Sequence, residues 1–170
     1  MTKIMILEDS IDSLKALKAI VESVSKDIAV IPVKSLEEAR AALQDEANLF
    51  QAFLLDINLD EQKPQDASGM EFAREVRNDS RYVFTPVIMI TSLASLELAA
   101  YRELHCYQYI LKPYQREEIE KLIRKVLFQT GESKEPFVLV KKDGINYKIY
   151  CKDIMYLYAI PRGVCLVLKK

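Results

Sequence analysis

Charged residues stand directly after three apolar runs of strand length. Glu8 and Asp9 follow the first of these runs, Asp56 follows the second, and Lys112 follows the third. In an open parallel sheet with helices on both faces, the carboxyl ends of the strands lie along one edge, and ligands bind at that edge. We therefore expect three carboxylates and one ammonium group, distant in sequence, to meet in a single cleft.

The expected cleft carries an excess of negative charge. Two carboxylates in close contact repel each other by roughly 4 kcal/mol at an effective dielectric constant near 20. A cation must offset this repulsion, and the candidates are a divalent metal ion and Lys112. The residue types therefore predict a cation-binding pocket beside a fixed ammonium group.

The elements that would position these residues alternate over about the first 129 residues. Apolar runs of strand length are followed by apolar residues at helical spacing, and Ser35 with Glu38 forms a capping box. Five such repeats imply a parallel sheet with right-handed crossovers, and Pro32 suggests that the second strand lies at an edge. The predicted strands are 3–7, 28–33, 50–57, 87–91 and 107–111, and the predicted helices are 11–24, 35–47, 70–77, 96–104 and 119–127.

The pattern changes after the fifth repeat. A short polar stretch with one glycine and one proline predicts a linker, and the residues after it favour strands, with Asp143–Gly144 typical of a hairpin turn. We therefore predict an α/β domain at 1–129, a linker at 130–136 and an incomplete all-β domain at 137–170. The predicted strands of the last part are 137–140, 147–150, 154–159 and 164–168, the last two on either side of 161–163.

The composition of the 170 residues is that of a soluble globular protein, 50% hydrophobic and 29% charged. No apolar stretch is long enough to span a bilayer, and the start of the chain does not resemble a signal peptide. Cys106, Cys151 and Cys165 lack a metal-type spacing, which predicts reduced thiols and a cytoplasmic location. Residues 133–170 carry eight Lys/Arg against three Asp/Glu, and this basic tail suggests contact with nucleic acid.

The predicted site resembles that of the receiver domain of bacterial two-component response regulators. The resemblance depends on five β-α repeats and on the order of Glu8-Asp9, Asp56, Thr91 and Lys112-Pro113. The resemblance covers residues 1–129. It implies a CheY-like α/β fold, a five-stranded parallel sheet of order 2-1-3-4-5 with helices on both faces. It also implies a signalling domain that accepts a phosphoryl group from a sensor histidine kinase, and not an enzyme that turns over a substrate.

The resemblance gives Asp56 the role of phosphoacceptor and assigns a Mg²⁺ ion to the pocket. Glu8, Asp9 and Asp56 would hold the ion together with the backbone carbonyl of Asn58. Oxygen ligands of this kind suit Mg²⁺, which also keeps several waters.

The remaining residues of the resemblance would bind the phosphoryl group and transmit the signal. Lys112 and Thr91 would each contact a phosphoryl oxygen, and the Lys112–Pro113 bond is expected to be cis. Thr91 would turn towards the phosphate, and Tyr109 would move into the space it leaves, which makes the two residues a switch.

One segment departs from the usual receiver pattern. The stretch between Asp56 and Gly69 is several residues longer than the usual loop, and Asp60 replaces a proline that commonly follows the phosphoacceptor. Because this loop is acidic and borders the expected site, we expect it to change the access of kinase, phosphatase or water, in a direction that the residues do not decide.

Residues 137–170 resemble the opening strands of a LytTR-type DNA-binding domain, through the patterns at 140–144, 148–149 and 153–157. The implied protein is a transcription regulator, of which this chain would be a truncated fragment, unable by itself to bind DNA specifically. The expected partners are the kinase and a second copy of the chain. The two copies would pair either through the fourth helix, fifth strand and fifth helix or through the β tail. No contact with a membrane is expected.

Two alternatives compete with this interpretation. A small phosphatase of the haloacid-dehalogenase type also uses an aspartyl phosphate, but it needs a second aspartate at the position of Asn58. The second alternative is a pseudo-receiver that serves only for dimerisation. The intact acidic residues and Lys112 argue against it, whereas the long acidic loop is compatible with it.

Overall fold

The computed structural model describes residues 1–60, 62–63, 65–132, 136–142, 145–161 and 163–169. Outside the described residues lie Glu61 and Pro64 of the long loop, residues 133–135 of the predicted linker, the predicted turn Asp143–Gly144, Arg162 and Lys170. The chain divides into two compact units, Met1–Leu127 and Phe128–Lys170, and each is described by itself.

The first unit alternates strands and helices along the chain. Its five strands are β1 (Thr2–Leu7), β2 (Ile28–Val33), β3 (Phe50–Leu55), β4 (Val87–Thr91) and β5 (Gln108–Leu111). Its helices are α1 (Ile11–Val24), α2 (Leu36–Gln44), α3 (Ser68–Asn78), α4 (Glu97–Leu104, preceded by a 3₁₀ turn at Ala94–Leu96) and α5, which runs from Arg116 to Glu132 and ends in the second unit.

The five strands form one parallel sheet of order β2-β1-β3-β4-β5, which confirms the predicted fold. Pro32 lies on β2, at an edge of this sheet, as its missing N–H group predicted. The helices are divided between the two faces, with α1 and α5 on one and α2, α3 and α4 on the other. The carboxyl ends of β1, β3, β4 and β5 consequently lie along one edge.

Two apolar layers cover the faces of the sheet. One contains side chains of α1 and α5 packed on the sheet, including Leu17, Val21 and Ile123. The other contains side chains of α2, α3 and α4, including Phe72 and Leu104. Most strand residues of this unit are buried and apolar, and the charged residues Glu8, Asp56 and Lys112 follow directly after strand ends.

Several element boundaries differ from the sequence predictions, and three of these differences have a physical reason. The strand predicted to reach Ile57 ends at Leu55, because the Asp56 carboxylate accepts a hydrogen bond from the Asn58 N–H and turns the chain. The helix predicted to reach 47 ends at Gln44, where Asp45 accepts from the Ala47 N–H. Helix α5 continues to Glu132, into the predicted linker, since a single glycine costs a helix only about 1 kcal/mol.

Arg77, near the end of α3, joins three segments through its guanidinium group. Its Nε donates to the Leu104 carbonyl at 2.7 Å, and Nη2 donates to the His105 carbonyl at 3.3 Å. Its Nη1 donates to the carbonyls of Tyr82 at 3.1 Å and Thr85 at 2.6 Å. The C-terminal end of α4 is thus tied to α3 and to the turn that leads into β4.

The second unit contains two antiparallel hairpins among its described residues. Strands β6 (Phe137–Lys142) and β7 (Ile145–Tyr150) form one pair, and β8 (Ile154–Ile160) and β9 (Gly163–Leu168) form the other. Large apolar side chains of the second pair are exposed, among them Tyr156, Leu157 and Val164. Across the described part of the chain, none of the helices has the length and apolar character needed to cross a membrane.

Candidate functional site

The sheet positions the predicted site residues through hydrogen bonds that continue just past the strands. The Asp56 N–H donates to the Leu7 carbonyl at 2.9 Å, and the Lys112 N–H donates to the Thr91 carbonyl at 2.9 Å. The Glu8 N–H donates to the carbonyl of Val33 on β2 at 3.1 Å. Residues that are far apart in sequence are therefore held side by side at the carboxyl edge of the sheet.

The ammonium group of Lys112 lies between two of the carboxylates. Its Nζ is 2.5 Å from Asp56 Oδ2 and 2.6 Å from Glu8 Oε2. The side chains of Glu8 and Asp56 are only 3% and 7% exposed, and that of Lys112 is 23% exposed. Such short, charge-assisted hydrogen bonds in a sheltered site fix the positions of all three groups.

Burial and charge act in opposite directions on this cluster. Burial lowers the pKa of Lys112, but the hydrogen bonds and negative charges of Asp56 and Glu8 outweigh it and leave the pKa above its ordinary value. For Glu8, burial is the largest effect and raises the pKa of the carboxyl group, although Lys112 opposes it. The lysine is therefore firmly cationic, while Glu8 is held in a place that disfavours its negative charge.

The three carboxylates also approach one another closely enough to share a metal ion. Oxygen atoms of Glu8, Asp9 and Asp56 all lie within 4.8 Å of one another. An octahedral Mg²⁺ site has oxygens at about 2.0–2.1 Å from the ion, so opposite ligands are separated by about 4 Å. The donor atoms and their spacing fit a hard divalent cation with little rearrangement.

The carboxylates open into a cavity of about 450 Å³. Asp56 accepts a hydrogen bond from the Asn58 N–H on Oδ1, at 3.1 Å, and contacts Lys112 through Oδ2. The Lys112–Pro113 peptide bond is cis. The cavity is lined by Glu8, Asp9, Ser10, Ser13, Asp56, Asn58, Ser92, Leu93 and Lys112.

Thr91 and Tyr109 are connected through a third residue, Leu93. The Thr91 hydroxyl accepts from the Leu93 N–H at 3.4 Å, and the Tyr109 hydroxyl donates to the Leu93 carbonyl. Tyr109 is buried, and burial is the main reason that its pKa is raised to about 12. The Tyr109 N–H in turn donates to the hydroxyl of Tyr101 on α4, at 3.2 Å.

Sequence reasoning missed several residues of the site. Ser10 and Ser13 line the cavity because Ser10 is the N-cap of α1 and accepts from the Ser13 N–H. A serine directly before a helical pattern was the available signal for that cap. The contribution of Leu93 is made by its backbone, which the residue type does not reveal.

The chain belongs to the response regulator receiver domain family, whose sequence model matches residues 4–124. It therefore contains a receiver domain of the two-component type. The predicted membership of this family is confirmed.

One curated relative is the sensory transduction protein LytR of Staphylococcus epidermidis, with 30% identity over 100 residues. The match covers 59% of this chain but only 36% of that protein. The chain thus spans about a third of the length of this relative.

Solved structures of receivers share the fold. The chemotaxis response regulator CheY4 of Vibrio cholerae superposes with a TM-score of 0.59 and 26% identity, over 75% of this chain and 99% of that chain. The response regulatory domain of protein mrkE from Klebsiella pneumoniae superposes with a TM-score of 0.65 and 22% identity, over 78% of this chain and 100% of that chain. The similarity to the second shows the fold alone.

Proposed function

We propose that Asp56 accepts a phosphoryl group from a sensor histidine kinase and that the modified receiver controls transcription. The observation that supports this most directly is the contact of 2.5 Å between Lys112 Nζ and Asp56 Oδ2, inside a cluster of three carboxylates. A buried aspartate held between a fixed ammonium group and a cation site suits phosphoryl transfer, which depends mainly on positioning and charge neutralisation.

In the proposed reaction, an oxygen of Asp56 forms a bond to phosphorus while the bond from phosphorus to a histidine nitrogen of the donor breaks. The nitrogen keeps the electron pair of the broken bond. Lys112 then pairs with an oxygen of the bound phosphoryl group, and the Thr91 hydroxyl donates to another. Glu8, Asp9, Asp56 and the Asn58 carbonyl would hold Mg²⁺, which neutralises charge on the transferred group.

The contacts of Leu93 support a switch that connects this reaction to the rest of the domain. A Thr91 hydroxyl that donates to the phosphoryl group changes its contact with the Leu93 N–H. Leu93 also accepts from Tyr109, whose backbone contacts Tyr101 on α4. The surface of α4, β5 and α5 is therefore the proposed output face, where two phosphorylated receivers would pair.

For the second unit we propose a role as part of a LytTR-type DNA-binding effector, with 1–129 as the receiver, 130–136 as the linker and 137–170 as the effector segment. The excess of basic residues after 133 and the similarity of the receiver to LytR support this role. Lys148 lies over the rings of Phe137 and Tyr150, so β6 and β7 present both charge and aromatic surface. The free cysteines suit a reducing, cytoplasmic environment.

Incubation with acetyl phosphate and MgCl₂, followed by intact mass measurement, tests the phosphoacceptor. We expect one added phosphoryl group in the wild-type chain, none in Asp56→Asn, and the wild-type result in Asp12→Asn, which removes an exposed acid near the cavity. A phosphoryl group that persists in Asp56→Asn would overturn the assignment of Asp56. Continuous hydrolysis of phosphate esters would instead favour the phosphatase alternative.

A further inference from the structure

The long loop after Asp56 folds onto itself and onto Asn58. The Asn58 side chain accepts from the Asp60 N–H at 2.9 Å and donates to the Lys63 carbonyl at 3.0 Å. The Lys63 N–H donates to the Asp60 carbonyl at 2.8 Å. Both ends of the Asn58 amide are therefore held by backbone groups of the loop.

Asp66 closes this loop at its base. Its Oδ2 accepts from the Leu59 N–H at 2.9 Å and from the Ser68 hydroxyl at 2.6 Å. The Asp66 N–H donates to the Lys63 carbonyl, the same group that holds Asn58. One carboxylate thus connects the residue after Asn58 with the first residue of α3.

These contacts reach the acidic pocket through one residue. The Asn58 N–H donates to Asp56 Oδ1, and Asn58 lines the cavity. The Asn58 carbonyl belongs to the same planar peptide group as the Leu59 N–H, so the hydrogen bond from that N–H to Asp66 Oδ2 fixes the direction of the carbonyl. The loop therefore determines where the Asn58 carbonyl points relative to the carboxylates of the pocket.

We infer that Asp66 is a positioning residue for the cation site and acts on it through the loop and Asn58. The added residues of the loop would then contribute to cation binding. This inference rests on the proposed function and assigns Asp66 a role in presenting the Asn58 carbonyl to Mg²⁺. Burial raises the pKa of Asp66, but its hydrogen bonds from Ser68 and Leu59 outweigh burial and lower the pKa, as expected for a carboxylate that holds the loop in its charged form.

The test measures how phosphorylation by acetyl phosphate depends on the Mg²⁺ concentration in wild type, Asp66→Ala, Asp66→Asn and Asp12→Ala. Removal of groups that orient metal ligands typically weakens metal binding by 10–100-fold, so we expect Asp66→Ala to raise the half-saturating Mg²⁺ concentration by roughly ten-fold. The maximal rate at saturating Mg²⁺ should change much less. Isothermal titration of the metal-free protein with MgCl₂ should show the same loss of affinity without any phosphodonor.

The two control variants separate positioning from charge. Asp66→Asn loses the charge but keeps an oxygen acceptor, and Asp12→Ala loses an exposed charge outside the loop. Asp12→Ala should stay within about two-fold of wild type, the range expected of an exposed charge. Asp66→Asn should lose less affinity than Asp66→Ala, because it keeps an acceptor for the Leu59 and Ser68 groups. The inference is overturned if Asp66→Ala binds Mg²⁺ like the wild type, or if Asp66→Asn loses as much affinity as Asp66→Ala.

Two further readouts keep the inference testable on its own. If Asp66→Ala fails to fold, Ser68→Ala removes one donor to Asp66 and should give an intermediate loss of Mg²⁺ affinity, whereas wild-type affinity would overturn the inference. If the wild-type chain binds Mg²⁺ but is not phosphorylated, the proposed function fails, and the calorimetric comparison still decides the role of Asp66.

Discussion

A β-carbon added at Gly69 would lie 1.8 Å from the backbone carbonyl oxygen of Asp56. The Gly69 N–H also donates to the carbonyl of Ile57 at 2.9 Å. The first turn of α3 is therefore in direct backbone contact with the strand end that carries the proposed phosphoacceptor, and only a residue without a side chain fits there.

Gly69→Ala should destabilise the receiver unit by about 2 kcal/mol, the typical size of an overpacking effect, because backbone must shift to remove the overlap. It should also slow phosphorylation, since the shift moves Asp56. Thermal unfolding and the acetyl phosphate assay measure the two effects. Gly163→Ala is the matched control, because its β-carbon would meet only the Ile160 side chain at 3.7 Å, and equal effects of the two substitutions would contradict the explanation.

The raised pKa of Glu8 predicts how stability depends on pH in metal-free protein. Because the folded chain holds the Glu8 proton more tightly than the unfolded chain, its contribution is fully present below about pH 4.5 and is lost as the pH rises through the folded pKa. Glu8→Gln, which cannot ionise, should therefore be more stable than wild type at neutral pH.

Urea unfolding at several pH values, in the presence of a chelator, measures this difference for Glu8→Gln. Glu37→Gln is the control, because Glu37 is exposed in the first turn of α2. The prediction is wrong if Glu8→Gln is less stable than wild type at neutral pH or follows the same pH dependence.

Mg²⁺ should stabilise the folded chain, because it relieves repulsion among carboxylates that lie within 4.8 Å of one another. At ten times the dissociation constant, a ligand that binds only the folded state adds about 1.4 kcal/mol. Thermal unfolding with MgCl₂, against KCl at equal ionic strength, measures the gain. Asp9→Asn should abolish most of it, and an undiminished gain in that variant would place the ion elsewhere.

Tyr109→Phe should loosen the segment that joins β4 to α4, because it removes the hydroxyl that donates to the Leu93 carbonyl. We expect a loss of stability of about 1 kcal/mol, the net worth of an ordinary hydrogen bond, and faster amide exchange near Leu93. Hydrogen exchange with mass spectrometry provides the measurement. Tyr107→Phe, the same change on a partly buried neighbour, should leave that exchange unaltered.

The exposed apolar surface of β8 and β9 predicts self-association of the chain. Adjacent residues of a strand point to opposite faces, and Tyr156 and Leu157 are 56% and 63% exposed, so both faces of this hairpin are apolar and open. Light scattering should show association that grows with concentration and weakens in Leu157→Lys but not in Leu49→Lys, at a similarly exposed site of the first unit. A monomer at all concentrations, with rapid amide exchange in this hairpin, would contradict the prediction.

The acidic cluster could be predicted from the positions of charged residues at the ends of strands. This prediction needs only the local apolar runs and the parallel arrangement of the strands. Asp56 and Lys112 could be placed together in this way, as could Pro32 at a sheet edge. Two helix ends were harder to predict: Asp45 stops α2 early through a side-chain hydrogen bond that competes with the helix, and α5 tolerates a glycine.

The role of the long loop could not be predicted from residue types, because its hydrogen bonds depend on tertiary placement. Asp66 is one of several acidic residues in the loop, and only the folded chain shows that it accepts from both Leu59 and Ser68. In the same way, a glycine before a helix is common, whereas the approach of Gly69 to Asp56 depends on how α3 packs against β3.

The hydrogen bonds from Arg77 to the carbonyls of Leu104 and His105 hold α4 at its C-terminal end. The opposite end of the helix follows Leu93, which contacts both Thr91 and Tyr109. A helix that is held at its C-terminal end can tilt about that end, so a change in the contact between the Thr91 hydroxyl and Leu93 would displace the N-terminal end of α4 most. The exposed apolar side chain of Leu98, near the moving end, would then travel further than that of Tyr101.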